Sequence, residues 1–383
     1  MAKRPIFEET SALATRPAAP AKGSVIEGRA GARKAIRVWL WVMFAMVVAM
    51  IMLGGMTRLT DSGLSITEWR PVTGALPPMS DVDWQAEFEK YRQSPEFLLQ
   101  NSQMTLDGFK SIYWWEWGHR QLGRVVGLVW AVGFFGLLIA RRMPPGWAGR
   151  LLGLGLLGGA QGAIGWWMVS SGLSGRMVDV ASYRLAIHLG LAFAILGLIA
   201  WYMLSLTRSE AALLQARRLR EGALVTWATV LAALTFLQIL LGALVAGIDA
   251  GRAFPTWPLM GDSFVPADPF YLPDGGPAIL ALFENPGLVQ FDHRMLGYIV
   301  VVAALFVWSR GRRSAHAATK AAFDWVAAMA FGQVVLGIVT VLYSAPLHLG
   351  LIHQLGAVIL WVLILRARHR ATYPVVQSVR GRA

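Results

Sequence analysis

One stretch of this chain gathers residue types that can do chemistry together: Tyr113-Trp114-Trp115-Glu116-Trp117-Gly118-His119-Arg120-Gln121-Leu122-Gly123. Residues three apart share a helix face, so a helix here sets a carboxylate beside an imidazole. Such a pair can hold a metal or move a proton. The pattern returns as Gln290-Phe291-Asp292-His293-Arg294-Met295-Leu296-Gly297, with His-Arg-x-Leu-Gly common to both. The difference lies three residues before the histidine. Gln290 stands where the first copy has Glu116, and an amide cannot ionise. The first copy is therefore the candidate for chemistry, and the second for permanently holding a cofactor.

The elements that position these residues follow from composition. Of 383 residues, 56% are hydrophobic and only 15% charged, against roughly 25% charged in soluble domains. This is the composition of an all-α polytopic membrane protein. The net charge of +13 does not indicate nucleic-acid binding, because the basic residues fall in short loops between apolar runs. Cysteine is absent, so disulfides, thiolate ligands and redox thiols are excluded. A metal or cofactor must rely on His, Met or carboxylates.

Eight runs are long enough to cross the bilayer as helices: 36–56, 120–140, 150–171, 184–206, 223–247, 292–309, 322–344 and 349–366. Every second connection is basic, as with Arg141, Arg142 and Arg150, or Arg310, Arg312, Arg313 and Lys320. That bias puts these connections and both termini on the cytoplasmic side. Connections 57–119 and 248–291 are long, lie outside, and have no fold derivable from sequence. Residues 1–35 read as a mobile polar tail. Its Glu8, Glu9 and Glu27 argue against a mitochondrial transit peptide. A bacterial cytoplasmic (inner) membrane is preferred over the mitochondrial inner membrane. Residues 36–207 form one four-helix unit, 208–222 a basic inner linker, 223–367 a second four-helix unit and 368–383 a basic tail.

The second unit repeats the first in the same direction, a parallel pseudo-symmetric repeat. Asp61-Ser62-Gly63 after the first span parallels Asp249-Ala250-Gly251 after the fifth. Spans three and seven share Gln-x-x-x-Gly, as Gln161…Gly165 and Gln333…Gly337. Spans four and eight carry His188 and His353 near their starts. His119, His188, His293 and His353 thus occupy matching places near the outer face, where ionisable groups are costly and usually functional. Two imidazoles per unit suit axial ligation of haem iron better than a zinc site, which wants three or four ligands. The pairs are His119/His188 and His293/His353. His348 lies five residues from His353, a poor spacing for sharing a face, and is not assigned. His316 and His369 read as surface residues. Gly123 and Gly297 leave room for a porphyrin or for close helix packing. Arg120 and Arg294 can pair with haem propionates or snorkel to the headgroups. Glu116 can act as an acid beside the iron ligand or pair with Arg120 one turn on. Trp114, Trp115 and Trp117 suit an interfacial belt or the wall of a macrocycle pocket.

These residues also carry a family resemblance. Gly54-Gly55-Met56-Thr57-Arg58-Leu59-Thr60-Asp61-Ser62-Gly63-Leu64-Ser65, Glu68-Trp69-Arg70-Pro71, Gly74-Ala75-Leu76-Pro77-Pro78, Glu116-Trp117-Gly118-His119-Arg120, Asp292-His293-Arg294-Met295-Leu296-Gly297 and Ile352-His353-Gln354 resemble heme A synthase over nearly all of residues 36–370. The resemblance is to the branch without cysteine pairs in the outer loops. It implies two four-helix bundles and oxidation of the C8 methyl of heme O to a formyl group by successive hydroxylation. It further implies that His293 and His353 ligate a resident heme b, that His119 and His188 face the substrate haem, and that Glu116 is the essential acid beside it. The implied partners are heme O, the upstream heme O synthase, an electron donor that the sequence does not name, and membrane lipid. A homo-oligomer is left open. From the residues alone, a dihaem electron carrier oxidising quinol and a haem carrier or transporter stand beside this reading.

Overall fold

The computed structural model describes residues 25–173, 178–273 and 275–375. Twelve α-helices occur among them. They are α1 (Val25–Leu59), α2 (Asp81–Tyr91), α3 (Pro95–Leu99), α4 (Leu106–Ile139), α5 (Trp147–Gly172), α6 (Ser182–Ser205), α7 (Glu210–Arg217), α8 (Gly222–Gly247), α9 (Ala281–Glu284), α10 (Pro286–Gly311), α11 (Ala317–Leu342) and α12 (Leu347–Thr372). Eight of them, α1, α4, α5, α6, α8, α10, α11 and α12, are long and apolar enough to span a membrane. Among the described residues there is no strand, only an isolated bridge between Met260 and Ser263. The chain is a multi-pass, all-α membrane protein.

Helices α1, α4, α5 and α6 pack around one another, and so do α8, α10, α11 and α12. The two groups meet mainly through α6 on α8 and through α12 on α6 and α1. Half of the most apolar stretch of α6 is buried, against 6% for α4, so α6 is central and α4 peripheral. Small residues allow the close approach that helices in lipid need. Gly197 of α6 lies under the Trp361 indole of α12, whose Nε1 donates to the Phe193 carbonyl at 3.0 Å. Near the C-terminal end of α1, the buried Arg58 binds Asp61 at 2.7 Å, Asp249 at 3.1 Å and Asp179 at 3.5 Å. These ion pairs join segments of both groups.

Four boundaries differ from the sequence reading. Helix α4 starts at Leu106 rather than near residue 120, with Thr105 accepting from Gly108 N as its N-cap. Helix α10 starts at Pro286, N-capped by Asn285. Hydropathy reports only the bilayer-embedded part, whereas a capped helix continues into the polar layer. The stretch around Glu116 and His119 is therefore inside a helix rather than at its entrance. Residues 25–35 are helical and belong to α1, so that part of the expected mobile tail is ordered; residues 1–24 lie outside the described residues. Helix α12 runs to Thr372, into the expected basic tail. His369 is buried rather than on the surface, packed against Trp201 and Tyr373 with ring centroids 5.0 Å away in each case.

The connection between α1 and α4 folds as a cap. Ser80 and Asp83 form a capping box that starts α2, and Ser94 caps α3 with Pro95 at its first position. Trp84, Phe88, Tyr91 and Phe97 from these short helices bury against Phe109 and Tyr113 on the extended part of α4.

Candidate active site

Each of the four membrane histidines rests on a glycine of a neighbouring helix. A Cβ at Gly54 of α1 would lie 3.2 Å from His119 Nε2, and one at Gly165 of α5 would lie 2.9 Å from His188 Cε1. In the other group, a Cβ at Gly242 of α8 or at Gly337 of α11 would lie 3.1 Å from Cε1 of His293 or His353, respectively. Any side chain at these glycines crowds the ring. Gly165 and Gly337 were visible as parts of a shared string, but their role was not. Gly54 stands in the sequence reading only as the start of a motif and Gly242 not at all, although Gln238-x-x-x-Gly242 is a third copy of that same string.

The glutamine of each string reaches the same histidine. Gln161 Nε2 donates to the His188 carbonyl at 3.0 Å and lies 3.2 Å from its Nδ1. Gln238 Nε2 donates to the His293 carbonyl at 2.9 Å and lies 3.1 Å from Nδ1. Gln333 Nε2 donates to the His353 carbonyl at 2.7 Å and lies 3.2 Å from Nδ1. All three Oε1 atoms are buried without a partner. The His293 and His353 rings are 6.4 Å apart between centroids, at 76°. His348 is exposed at the start of α12.

Glu116 is 2% exposed. Its Oε2 accepts from Ser65 Oγ and from Ile66 N, both at 2.7 Å, and its Oε1 accepts from Arg120 Nη2 at 2.6 Å and Nε at 3.0 Å. Arg120 also donates to the Ile66 and Glu68 carbonyls at 2.8 and 3.0 Å. The pair thus fixes the start of the α1–α4 connection onto α4. Ser65 and Ile66 were missed as partners because about 50 residues separate them from Glu116.

The second group repeats this arrangement with weaker contacts. Buried Gln290 donates to the Gly251 and Phe254 carbonyls at 3.4 Å each, and its Oε1 has no partner. Arg294 donates to the Phe254 and Leu259 carbonyls at 2.8 and 3.2 Å. Gly123 and Gly297 do not face open space. A Cβ at Gly123 would lie 3.5 Å from Met50 Cε, and one at Gly297 3.4 Å from Gln238 Nε2. Trp114 packs edge-on against Trp84 of the cap and against Trp117, at 5.6 and 5.5 Å.

Residues 37–365 match the COX15-CtaA family, cytochrome oxidase assembly protein. The chain belongs to that family. Relatives in it named Heme A synthase are similar from end to end. The protein of Dinoroseobacter shibae is 62% identical, with 99% of this chain and 98% of the relative covered. That of Cereibacter sphaeroides is 61% identical, again covering 99% and 98%. That of a Ruegeria species is 60% identical, with both chains fully covered.

The residues present suit a haem group. Among the described residues no cluster of three or more His, Asp or Glu could hold a bare metal ion, which leaves paired imidazoles as the donor set. Each of the four imidazoles is seated on a glycine at which a Cβ would crowd the ring. An imidazole nitrogen binds a metal ion at about 2 Å. The 6.4 Å spacing of the His293 and His353 rings leaves room for one ion between them.

Proposed function

We propose that this chain is a heme A synthase. It oxidises the C8 methyl of heme O to a formyl group by successive hydroxylation, giving heme A for cytochrome c oxidase. The reading is carried by one observation: two pairs of glycine-seated histidines, in a chain about 60% identical from end to end to proteins of that name. In this reading the chain is a parallel repeat of two four-helix units in a bacterial inner membrane, with both termini on the cytoplasmic side.

His293 and His353 hold a resident heme b, which supplies reversible one-electron transfer when bound. His119 and His188 hold the substrate haem. Glu116 is the acid at the substrate and is positioned rather than mobile, since Ser65, Ile66 N and Arg120 fix both of its oxygens. A fixed carboxylate near the reacting group can take and return a proton without reorganising. Gln290 explains why the second unit only carries electrons: an amide cannot serve as a general acid or base. Arg120 and Arg294 meet the propionates through N–H groups that the loop carbonyls do not use. Heme O arrives from the heme O synthase.

The test is extraction and chromatography of haems from purified protein, expressed with and without a source of heme O. Heme B together with heme O or heme A, with product lost in His119→Ala, is the expected result. Two equivalents of heme B, unaffected by heme O supply, would overturn the reading in favour of a dihaem electron carrier.

A further inference from the structure

Two consecutive glycines of α1 serve different units. Gly54 seats His119 of its own unit, and Gly55 lies against Gln354 of α12, the residue that follows His353. Gln354 Nε2 donates to the Ile51 carbonyl of α1 at 2.7 Å. A Cβ at Gly55 would overlap Gln354 Oε1 and lie 2.9 Å from its Cδ, so the amide holds this place only against a glycine. The repeat shows what the contact adds. Leu189 follows His188 as Gln354 follows His353, and Ala243 follows Gly242 as Gly55 follows Gly54. Leu189 packs against the apolar cluster that includes Ala243. The α6–α8 interface is thus apolar where the α12–α1 interface carries a hydrogen bond. Glutamines that bond across helices in lipid add modestly to packing. The place of this one matters more. It stands one residue from a histidine of the second unit and reaches the helix that seats a histidine of the first.

We propose that Gln354 is a positioning residue that couples the two haem sites, holding His353 and the Gly54 seat of His119 in one fixed relation. The proposal rests on the haem reading of the site. Displacing α12 at Gln354 moves His353 against its own seat at Gly337, and displacing α1 at Gly55 moves Gly54 against His119. Occupancy of the substrate site is then felt at the resident haem, and the effect is reciprocal. The resident haem can in this way answer to the arrival of heme O, to which its electrons go.

The test uses the full-length protein in lipid nanodiscs, carrying heme B with and without heme O. Low-spin electron paramagnetic resonance signals, midpoint potentials, haem content and thermal stability are recorded. In the unsubstituted protein, loading heme O should shift the signal and the potential of the resident haem. Gln354→Leu keeps the volume and loses the donor, and Gly55→Ala displaces the amide from the other side. Each should abolish that shift, and because both break one contact the double variant should go no further than either alone. Trp361→Phe is the control. It loses the bond from α12 to the Phe193 carbonyl and should lower stability while keeping the shift. A shift that survives Gln354→Leu and Gly55→Ala, one lost equally in Trp361→Phe, or none in the unsubstituted protein would overturn the proposal. Should Gln354→Leu fail to accumulate, Gly55→Ala carries the test. His353→Ala separates the two ideas. If it leaves haem content untouched, the haem reading itself fails; if it empties the second site while the Gln354 and Gly55 variants behave as the unsubstituted protein, only the coupling fails.

Discussion

Ser65 Oγ donates to Glu116 Oε2 at 2.7 Å, closing the first outer connection onto the helix that carries His119. The carboxylate thus has a structural duty beside its proposed chemical one, and substitutions separate them. Glu116→Gln retains the shape and one of the two accepting oxygens and removes the ionisable group. Product formation should fall about 100-fold or more, while heme B content stays normal. Ser65→Ala removes only one hydrogen bond to a charged acceptor. It should cost about 1.5–3 kcal/mol of stability and lower activity partially. Full heme A yield from Glu116→Gln, measured by chromatography, would sink the acid role.

The two histidine pairs should fail differently. His293→Ala and His353→Ala should lose the resident haem, seen as loss of its absorbance in reduced-minus-oxidised spectra. His119→Ala and His188→Ala should keep that signal and lose retained heme O and heme A. Equal loss of both signals in all four variants would contradict the division of labour.

The seating glycines give a steric prediction. Gly165→Val and Gly242→Val place branched side chains against imidazoles that already lie about 3 Å from a Cβ. Overpacking of this kind costs about 1–3 kcal/mol, and here it displaces a ligand. Haem content should drop in both. Gly158→Ala has nothing within 4 Å of the added carbon and should bind haem normally. The pyridine haemochrome assay decides between these outcomes.

The outer cap should be sensitive to pH. Glu96 of α3 is buried with Oε2 unpartnered. Burial, then the nearby Asp179, Glu116 and Asp61, push its carboxyl up to about 8, partly offset by the Tyr91 hydroxyl. The unfolded value is near 4.5, so the folded cap holds a proton that the unfolded chain releases. The associated stability is complete below the unfolded value and is lost as pH rises through about 8. Amide protection in α2 and α3, taken relative to the intrinsic exchange rate at each pH, should fall between about pH 4.5 and about pH 8, and Glu96→Gln should flatten the change. An equally steep change in Glu96→Gln would exclude Glu96 as its source.

Amino-acid order by itself determined the eight spans, because each must present about 20 apolar residues to the bilayer. It also singled out the four histidines, since ionisable groups at membrane depth are few, and the Glu116/Gln290 difference, since the two copies align by eye. Only tertiary structure decided the rest. That α4 and α10 continue past the bilayer is invisible to hydropathy, which sees the lipid-facing layer and not the cap that Trp84, Phe88 and Phe97 build on Phe109. His369 looked solvent-exposed in a basic tail, yet Trp201 of another helix covers it. Gly54 under His119, Gln238 on His293 and Ser65 on Glu116 join residues about 50–65 apart, and no local periodicity encodes which helix faces which.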